Sequence, residues 1–273
     1  MKNEAQRSDE SDFMQLLDAV HCMDNCKGMM LLPDESIDLV VTSPPYDDLR
    51  TYGGHSWDFY GVAWNLARVL KPGGVIVWVV NDATIKGSET GTSWEQASHF
   101  KALGLNLHDT MIWHKKNPPP QTKEGRRYTS AHEYIFILSK GKPSTFNCLM
   151  QPCSMAGAST NNRTQRTKEG ESRKDREIAR KGKTVKNEKP LHSVVSFANT
   201  GSKEHPAAFP LALVKDQVKS WSNKGDIVLD PFMGSGTTAK AAQELGRHYI
   251  GFEINPEYVE ICQRRTAQAT LGI

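Results

Sequence analysis

Apolar positions along the chain follow two alternating rhythms, one of strands and one of helices. Ile37 to Val41 (IDLVV) is a short run rich in β-formers. It ends at Thr42-Ser43-Pro44-Pro45-Tyr46, where two prolines, lacking amide donors, stop any ladder. A strand is therefore expected to deliver this pentapeptide to a sheet edge. From Phe59 the residues Phe59, Val62, Ala63, Leu66, Val69 and Leu70 recur at helical spacing, until Lys71-Pro72-Gly73-Gly74 ends the pattern. Val75 to Val80 (VIVWVV) then reads as a strand buried on both faces. Trp94 to Leu103 has the spacing of an amphipathic helix, and Leu107 to Trp113 and Tyr134 to Leu138 read as strands. Between those two strands Lys115 to Ser130, with its three prolines, reads as an irregular, mobile connection.

From about Phe146 to Val194 no periodicity survives. Regular structure resumes with helices over Pro210 to Trp221, Thr237 to Leu245 and Pro256 to Ala267, and with strands over Ile227 to Leu229 and Tyr249 to Phe252. Strands alternating with helices on both sides of the gap imply an α/β fold, a mostly parallel sheet with helices on both faces. The expected organisation is two halves of one domain, 13–145 and 195–270, separated by an insertion, 146–194.

Charge makes the insertion more interesting than its lack of pattern suggests. The 273 residues carry a net charge of only +3, but Asn161 to Pro190 hold eleven Lys and Arg against five acids, a net of +6. The rest of the chain is therefore slightly acidic. Such a stretch is either a solvated loop or a nucleic-acid contact surface, with Arg173, Lys174 and Arg176 as candidate phosphate contacts. The longest aliphatic and aromatic run, Val75 to Val80, is far short of the roughly 20 residues that span a bilayer. The first twelve residues are polar where an export signal would be apolar, which suits a cytoplasmic protein. Five scattered cysteines suit reduced thiols, and their spacing completes no zinc site.

Two stretches carry candidate chemistry. In Val228-Leu229-Asp230-Pro231-Phe232-Met233-Gly234-Ser235-Gly236-Thr237-Thr238, a strand ends at Asp230 and two glycines let the backbone approach a ligand. Thr237 and Thr238 then open a helix whose free amides face the site. About twenty residues on, Glu253 ends the next strand, where a carboxylate can accept from both hydroxyls of a ribose. There is no third glycine of GxGxxG and no Lys-Ser or Lys-Thr of a P-loop, so the ligand suggested is an adenosine without a pyrophosphate. In the second stretch, Ser43, the rigid Pro44-Pro45 backbone and the flat face of Tyr46 could clamp a planar amine.

Taken together these residues resemble the DNA amino-methyltransferases, which methylate N4 of cytosine or N6 of adenine. Ser43-Pro44-Pro45-Tyr46 is similar to the family's catalytic tetrapeptide. The Asp230 to Thr237 turn resembles its S-adenosylmethionine loop, followed by the acidic strand end Gly251-Phe252-Glu253. Leu70 to Gly74 (LKPGG), IWHKKNPPP from Ile112, HEYIFIL from His132 and HPAAFPLALV from His205 agree with the same family. The catalytic motif precedes the cofactor motif, the permuted order of the β class. Met23-Asp24 departs from the family's usual Gly-Asp, and by that position Asp24 is the candidate adenine contact.

The resemblance implies a Rossmann-like fold using S-adenosylmethionine as cofactor. Asp230, Phe232, Gly234, Ser235, Gly236, Thr237 and Glu253 join Asp24 as cofactor contacts. It implies a flipped base stacked on Tyr46, its amino hydrogens accepted by Ser43 Oγ and the Pro44 carbonyl, with no nucleophilic cysteine and no metal. Serine at the first position leans toward N4 of cytosine, with N6 of adenine the alternative. Double-stranded DNA is the implied partner, no membrane is involved, and a homodimer or a cognate restriction endonuclease is compatible. The competing readings are a non-catalytic DNA-binding regulator that keeps the fold, and an NAD-linked oxidoreductase, which leaves Thr42 to Tyr46 unexplained.

Overall fold

The computed structural model describes residues 13–45, 57–118, 127–158, 184–198 and 209–270. The chain divides into a larger unit, Met1–Asn147 with Ser193–Ile273, and a smaller one, Cys148–His192. In chain order the elements begin with β1 (Ala19–Cys22), α1 (Asn25–Met30), β2 (Ile37–Thr42), α2 (Phe59–Val69) and β3 (Leu70–Val80). A small hairpin, β4 (Thr84–Ile85) and β5 (Ser88–Glu89), leads to α3 (Thr92–Ala102), β6 (Asn106–Lys115) and β7 (His132–Ser139). Next in sequence come β8 (Met150–Pro152), β9 (Glu188–Pro190) and β10 (Val194–Phe197). The chain closes with α4 (Leu211–Trp221), β11 (Ile227–Asp230), α5 (Thr237–Glu244), β12 (His248–Glu253) and α6 (Pro256–Thr270).

In the larger unit eight strands form one sheet in the order β1-β12-β11-β2-β3-β7-β6-β10. Each neighbouring pair is parallel except the two that involve β7, which runs against β3 and β6. The apolar run of β3 is buried residue by residue because both sheet faces are covered. Ile76, Trp78 and Val80 pack with Val40, Leu66, Phe100 and Phe136 in one core, while the alternate Val75, Val77 and Val79 point the other way. The buried Trp78 indole keeps a polar partner, donating from Nε1 to Gln96 Oε1 at 2.9 Å.

Lys71 to Gly74, expected only to end a helix, lie inside β3 as a bulge. Pairing with β2 jumps from Ile37–Leu70 to Leu39–Val75, and Gly73 takes a φ of +80°. The strands β1 and β10 and the helix α1 carry no sequence pattern strong enough to announce them. β1 and β10 are four-residue edge strands, each with one buried side chain, so neither shows a period. Sheet order reverses between β11 and β2. β11 continues through α5 to β12 on one side, and β2 continues through α2 to β3 on the other. In open α/β sheets a ligand crevice lies at the carboxyl ends of the strands flanking such a reversal.

The smaller unit is built on an antiparallel ladder. β8 pairs β9 with Met150 opposite Pro190, and bonds from Cys153 to Asn187 and between Ala158 and Val185 extend it. Its described strands alternate only between exposed and partly buried residues, so no hydrophobic period marks them in the sequence. Among the described residues no helix is long and apolar enough to cross a membrane, and no cluster of His, Cys, Asp and Glu could hold a metal ion.

α1 lies so close to β12 that a Cβ on Gly28 would stand 2.3 Å from the fully buried Phe252 ring. Gly28→Ala should therefore lower stability by about 1–3 kcal/mol through overpacking, although alanine is the better helix former. Urea unfolding of the two proteins measures this, and an equal or higher midpoint for the variant would refute it.

Candidate functional site

The two sequence stretches singled out for chemistry meet at the reversal point through one buried carboxylate. Thr42, the last residue of β2, donates from Oγ1 to Asp230 Oδ1 at 2.6 Å. Thr238, in the first turn of α5, donates from Oγ1 to Asp230 Oδ2 at 2.7 Å, and the Phe232 amide donates to Oδ1 at 3.0 Å. Asp230 is 1 % exposed, so these donors rather than water satisfy it. The Asp230 side chain thus ties β2, β11 and α5 together, and its bearing on a ligand is through the backbone it holds. Thr42 and Thr238, neither named as a site residue from the sequence, are its partners. Their signal was only a hydroxyl next to each motif.

Ser43, Pro44 and Pro45 follow Thr42 directly, with Pro44 buried and the other two partly exposed at the carboxyl edge. Tyr46 lies outside the described residues, as do Arg173, Lys174 and Arg176.

The glycine turn runs from Pro231 to Gly236 along the ends of β11 and β12. The Gly236 amide closes it on the Met233 carbonyl at 2.9 Å, and Met233 N donates to Phe252 O at 2.9 Å. Two glycines are required here. Gly236 holds a φ of +85°, and a Cβ on Gly251 of β12 would lie 2.4 Å from Met233 Cε. Gly236 is also the N-cap of α5, and without a side chain it makes no cap bond. The first-turn amides of α5 are thus left for a ligand, behind the buried Thr237. Ser235, named as a cofactor contact, is 3 % exposed and its hydroxyl faces Arg265 of α6 at 2.9 Å.

Glu253, at the end of β12, accepts the Gly234 amide on Oε2 and the Asn255 amide on Oε1, both at 2.8 Å. Each carboxylate oxygen has two lone pairs, so holding these amides is compatible with accepting ribose hydroxyls. Cys22 pairs with Glu253, and Met23 N donates to Glu253 O at 3.0 Å, so the end of β1 brings Asp24 to the same edge. Asp24 Oδ1 accepts the Lys27 amide at 3.0 Å, capping α1. On the other side of the turn Phe232 meets Trp57 edge-on at 5.0 Å, and Trp57 packs on Phe59 and Trp78. Glycine turn, ribose carboxylate and catalytic strand end thus share one edge.

Burial pushes the Asp230 carboxyl up to about 6 from the ordinary 3.8, against the lowering effect of its Thr42, Thr238 and Phe232 hydrogen bonds; nearby Glu253 adds to the rise. Because the folded value is the higher one, the native state holds this proton more tightly between pH 3.8 and about 6. The group's contribution to stability therefore falls as pH rises through that window, and its cost is fully present above it. Asn can keep the Oδ1 acceptor for Thr42 and Phe232, so Asp230→Asn should remove this fall while the fold survives. Urea unfolding from pH 3.5 to 7.5 checks it; parallel curves for parent and variant would be incompatible with the assignment.

Comparison with known proteins agrees with this geometry. The DNA methylase family matches residues 37–264, which include Ser43 to Pro45, the glycine turn and Glu253. The orphan methyltransferase M.BamHII of Bacillus amyloliquefaciens is 48% identical over 246 residues, covering 85% of this chain and 89% of that one. The type II methyltransferase M.SmaI of Serratia marcescens is 28% identical over 277 residues, covering 86% and 85%. Among solved structures, the DNA modification methylase TTHA0409 of Thermus thermophilus, complexed with S-adenosyl-L-methionine, superposes with a TM-score of 0.62 at 27% identity, covering 93% of this chain and 97% of that chain. The cytosine-N4-specific PvuII DNA methyltransferase superposes at 0.66 with 20% identity, covering 90% and 85%, a likeness of fold. A family match of that extent and a relative nearly half identical leave one assignment: the chain belongs to the S-adenosylmethionine-dependent DNA amino-methyltransferases, the N4/N6 DNA methylase family.

Proposed function

We propose that this chain methylates the exocyclic amino nitrogen of a base extruded from double-stranded DNA, with N4 of cytosine the favoured target. The observation that carries the proposal is the 2.6 Å bond between Thr42 and Asp230, which fastens the strand delivering Ser43-Pro44-Pro45 to the strand delivering the glycine turn. An acceptor for amine hydrogens and a cradle for an adenosine thereby lie side by side at one crevice. Serine in the first position of the tetrapeptide supports N4 of cytosine over N6 of adenine. A non-catalytic regulator has no use for two half-sites so joined.

The residues present fit the cofactor. Glu253 would hold the ribose, Asp24 would approach the adenine, and the amides of the glycine turn and of α5 would face its polar groups. S-adenosylmethionine supplies, when bound, an electrophilic methyl on a sulfonium. The protein's part is positioning and electrostatics. Tyr46 stacks the extruded base, at the cost of unstacking it from the duplex. The amino lone pair is delocalised into the ring. Ser43 Oγ and the Pro44 carbonyl accept its two hydrogens and favour a more tetrahedral, more nucleophilic nitrogen. Lys and Arg of the insertion, Arg173, Lys174 and Arg176 among them, bind phosphates and give affinity a steep salt dependence.

Single-molecule sequencing of DNA from cells expressing the chain should reveal N4-methylcytosine in one sequence context. N6-methyladenine would move the target base, and unmodified DNA despite cofactor binding would favour the regulator. Glu253→Ala should weaken S-adenosylmethionine binding by about 1–3 kcal/mol in calorimetry, and unaltered affinity would remove Glu253 from the site. Tyr46→Ala should depress single-turnover methylation at saturating DNA by about 1–3 kcal/mol, roughly ten- to hundredfold, and Ser43→Ala by less than the roughly hundredfold of an isolated positioned donor. Both should leave cofactor affinity unchanged. A parental rate for Tyr46→Ala would show the catalytic assignment to be wrong.

A further inference from the structure

The last helix, α6, contributes nothing to the motifs, yet two of its side chains bear on the glycine turn. Cys262 is fully buried, and its Sγ lies 2.4 Å from where a Cβ on Gly236 would stand. Burial pushes its thiol up to about 12, so it packs there as a small neutral group. Three residues on, and therefore on the same face of the helix, Arg265 Nη1 donates to the Ser235 carbonyl at 2.7 Å and to Ser235 Oγ at 2.9 Å. The peptide joining Ser235 to Gly236 is thus fixed at both ends, its carbonyl by Arg265 and its amide by the Met233 carbonyl at 2.9 Å. α5 begins at the next residue, so the plane of this peptide sets the direction of the uncapped first-turn amides.

We propose that Arg265 is a positioning residue that sets the affinity for S-adenosylmethionine without touching it, by locking the Ser235 peptide and so aiming the amides of the glycine turn and of α5. The inference rests on the reading that the cofactor binds at this turn. A charged donor on the carbonyl holds it more firmly than a neutral one, and its planar fork reaches carbonyl and hydroxyl together. The energy resides in the aim of the amides before the ligand arrives, so loss of Arg265 should appear as lost preorganisation.

The test is calorimetric titration of S-adenosylmethionine into the parent, Arg265→Lys and Arg265→Met, with unfolding midpoints of the cofactor-free proteins. Arg265→Met should raise Kd about 10- to 100-fold, the range for losing a hydrogen bond to a charged group. Its unfolding midpoint should stay close to the parent's. Arg265→Lys, which keeps one charged donor for the carbonyl, should recover part of the affinity. At saturating cofactor kcat should remain near parental, with the loss confined to the KM for S-adenosylmethionine. Parental affinity in folded Arg265→Met overturns the proposal, and so does a loss that Lys does not relieve and that tracks a fallen midpoint. Where Arg265→Met does not fold, Arg265→Lys carries the test, and parental affinity there overturns it. A parent that fails to bind S-adenosylmethionine would instead refute the cofactor site itself.

Discussion

A carboxylate with almost no access to water, holding two threonine hydroxyls and one amide, is the constraint on which the rest of this molecule depends. Asp230 joins β2 to β11 and α5. Its burial is unfavourable, as its raised pKa records, and its hydrogen bonds offset that cost only in part. A group kept in so unfavourable a place acts through geometry. The Thr42 and Thr238 hydroxyls can satisfy it only if both motifs are in register, so an incorrect pairing of β2 and β11 would leave a buried charge without donors.

Around that latch the glycine turn is supported from three sides. β12 lies beneath it, with Gly251 admitting Met233 and Glu253 holding the Gly234 amide. α6 lies behind it through Cys262 and Arg265. Trp57, which precedes α2, lies against Phe232. The turn needs two glycines for close approach and left-handed backbone, and that freedom is entropically costly unless neighbours remove it. Support by packed helices and strands yields a rigid loop, and rigidity lets free amides discriminate a ligand.

The site is also asymmetric in a way that suits a two-substrate reaction. One side of the reversal point, β1, β12 and β11, carries the carboxylate, the uncapped helix and the glycine turn. On the other side β2 carries the Ser-Pro-Pro end, and β3 and the antiparallel β7 continue the sheet away from it. Each substrate thus has its own sheet half, and they share only the latch.

The sequence by itself determined the strands and helices whose burial is strong enough to leave a period, as in β3 and α2, and the two motifs whose residue types imply an adenosine cofactor and a planar amine. Proline pairs, glycine turns and an acidic strand end act locally, so a reader of the chain can recognise them without coordinates. Local signals ran out where burial is shallow or partners are distant. β1 and β10 bury one side chain each and so leave no alternation. The ladder of β8 and β9 is exposed or only partly buried along its strands, so the insertion read as patternless. Asp230 and Ser235 were legible as site residues, but not that their side chains turn inward, toward Thr42 and toward Arg265. Thr42 is 188 positions from Asp230 and Arg265 is 30 from Ser235. Only the parallel pairing of β2 with β11, and the packing of α6 against α5, brings them within hydrogen-bond reach, because such bonds act over about 3 Å.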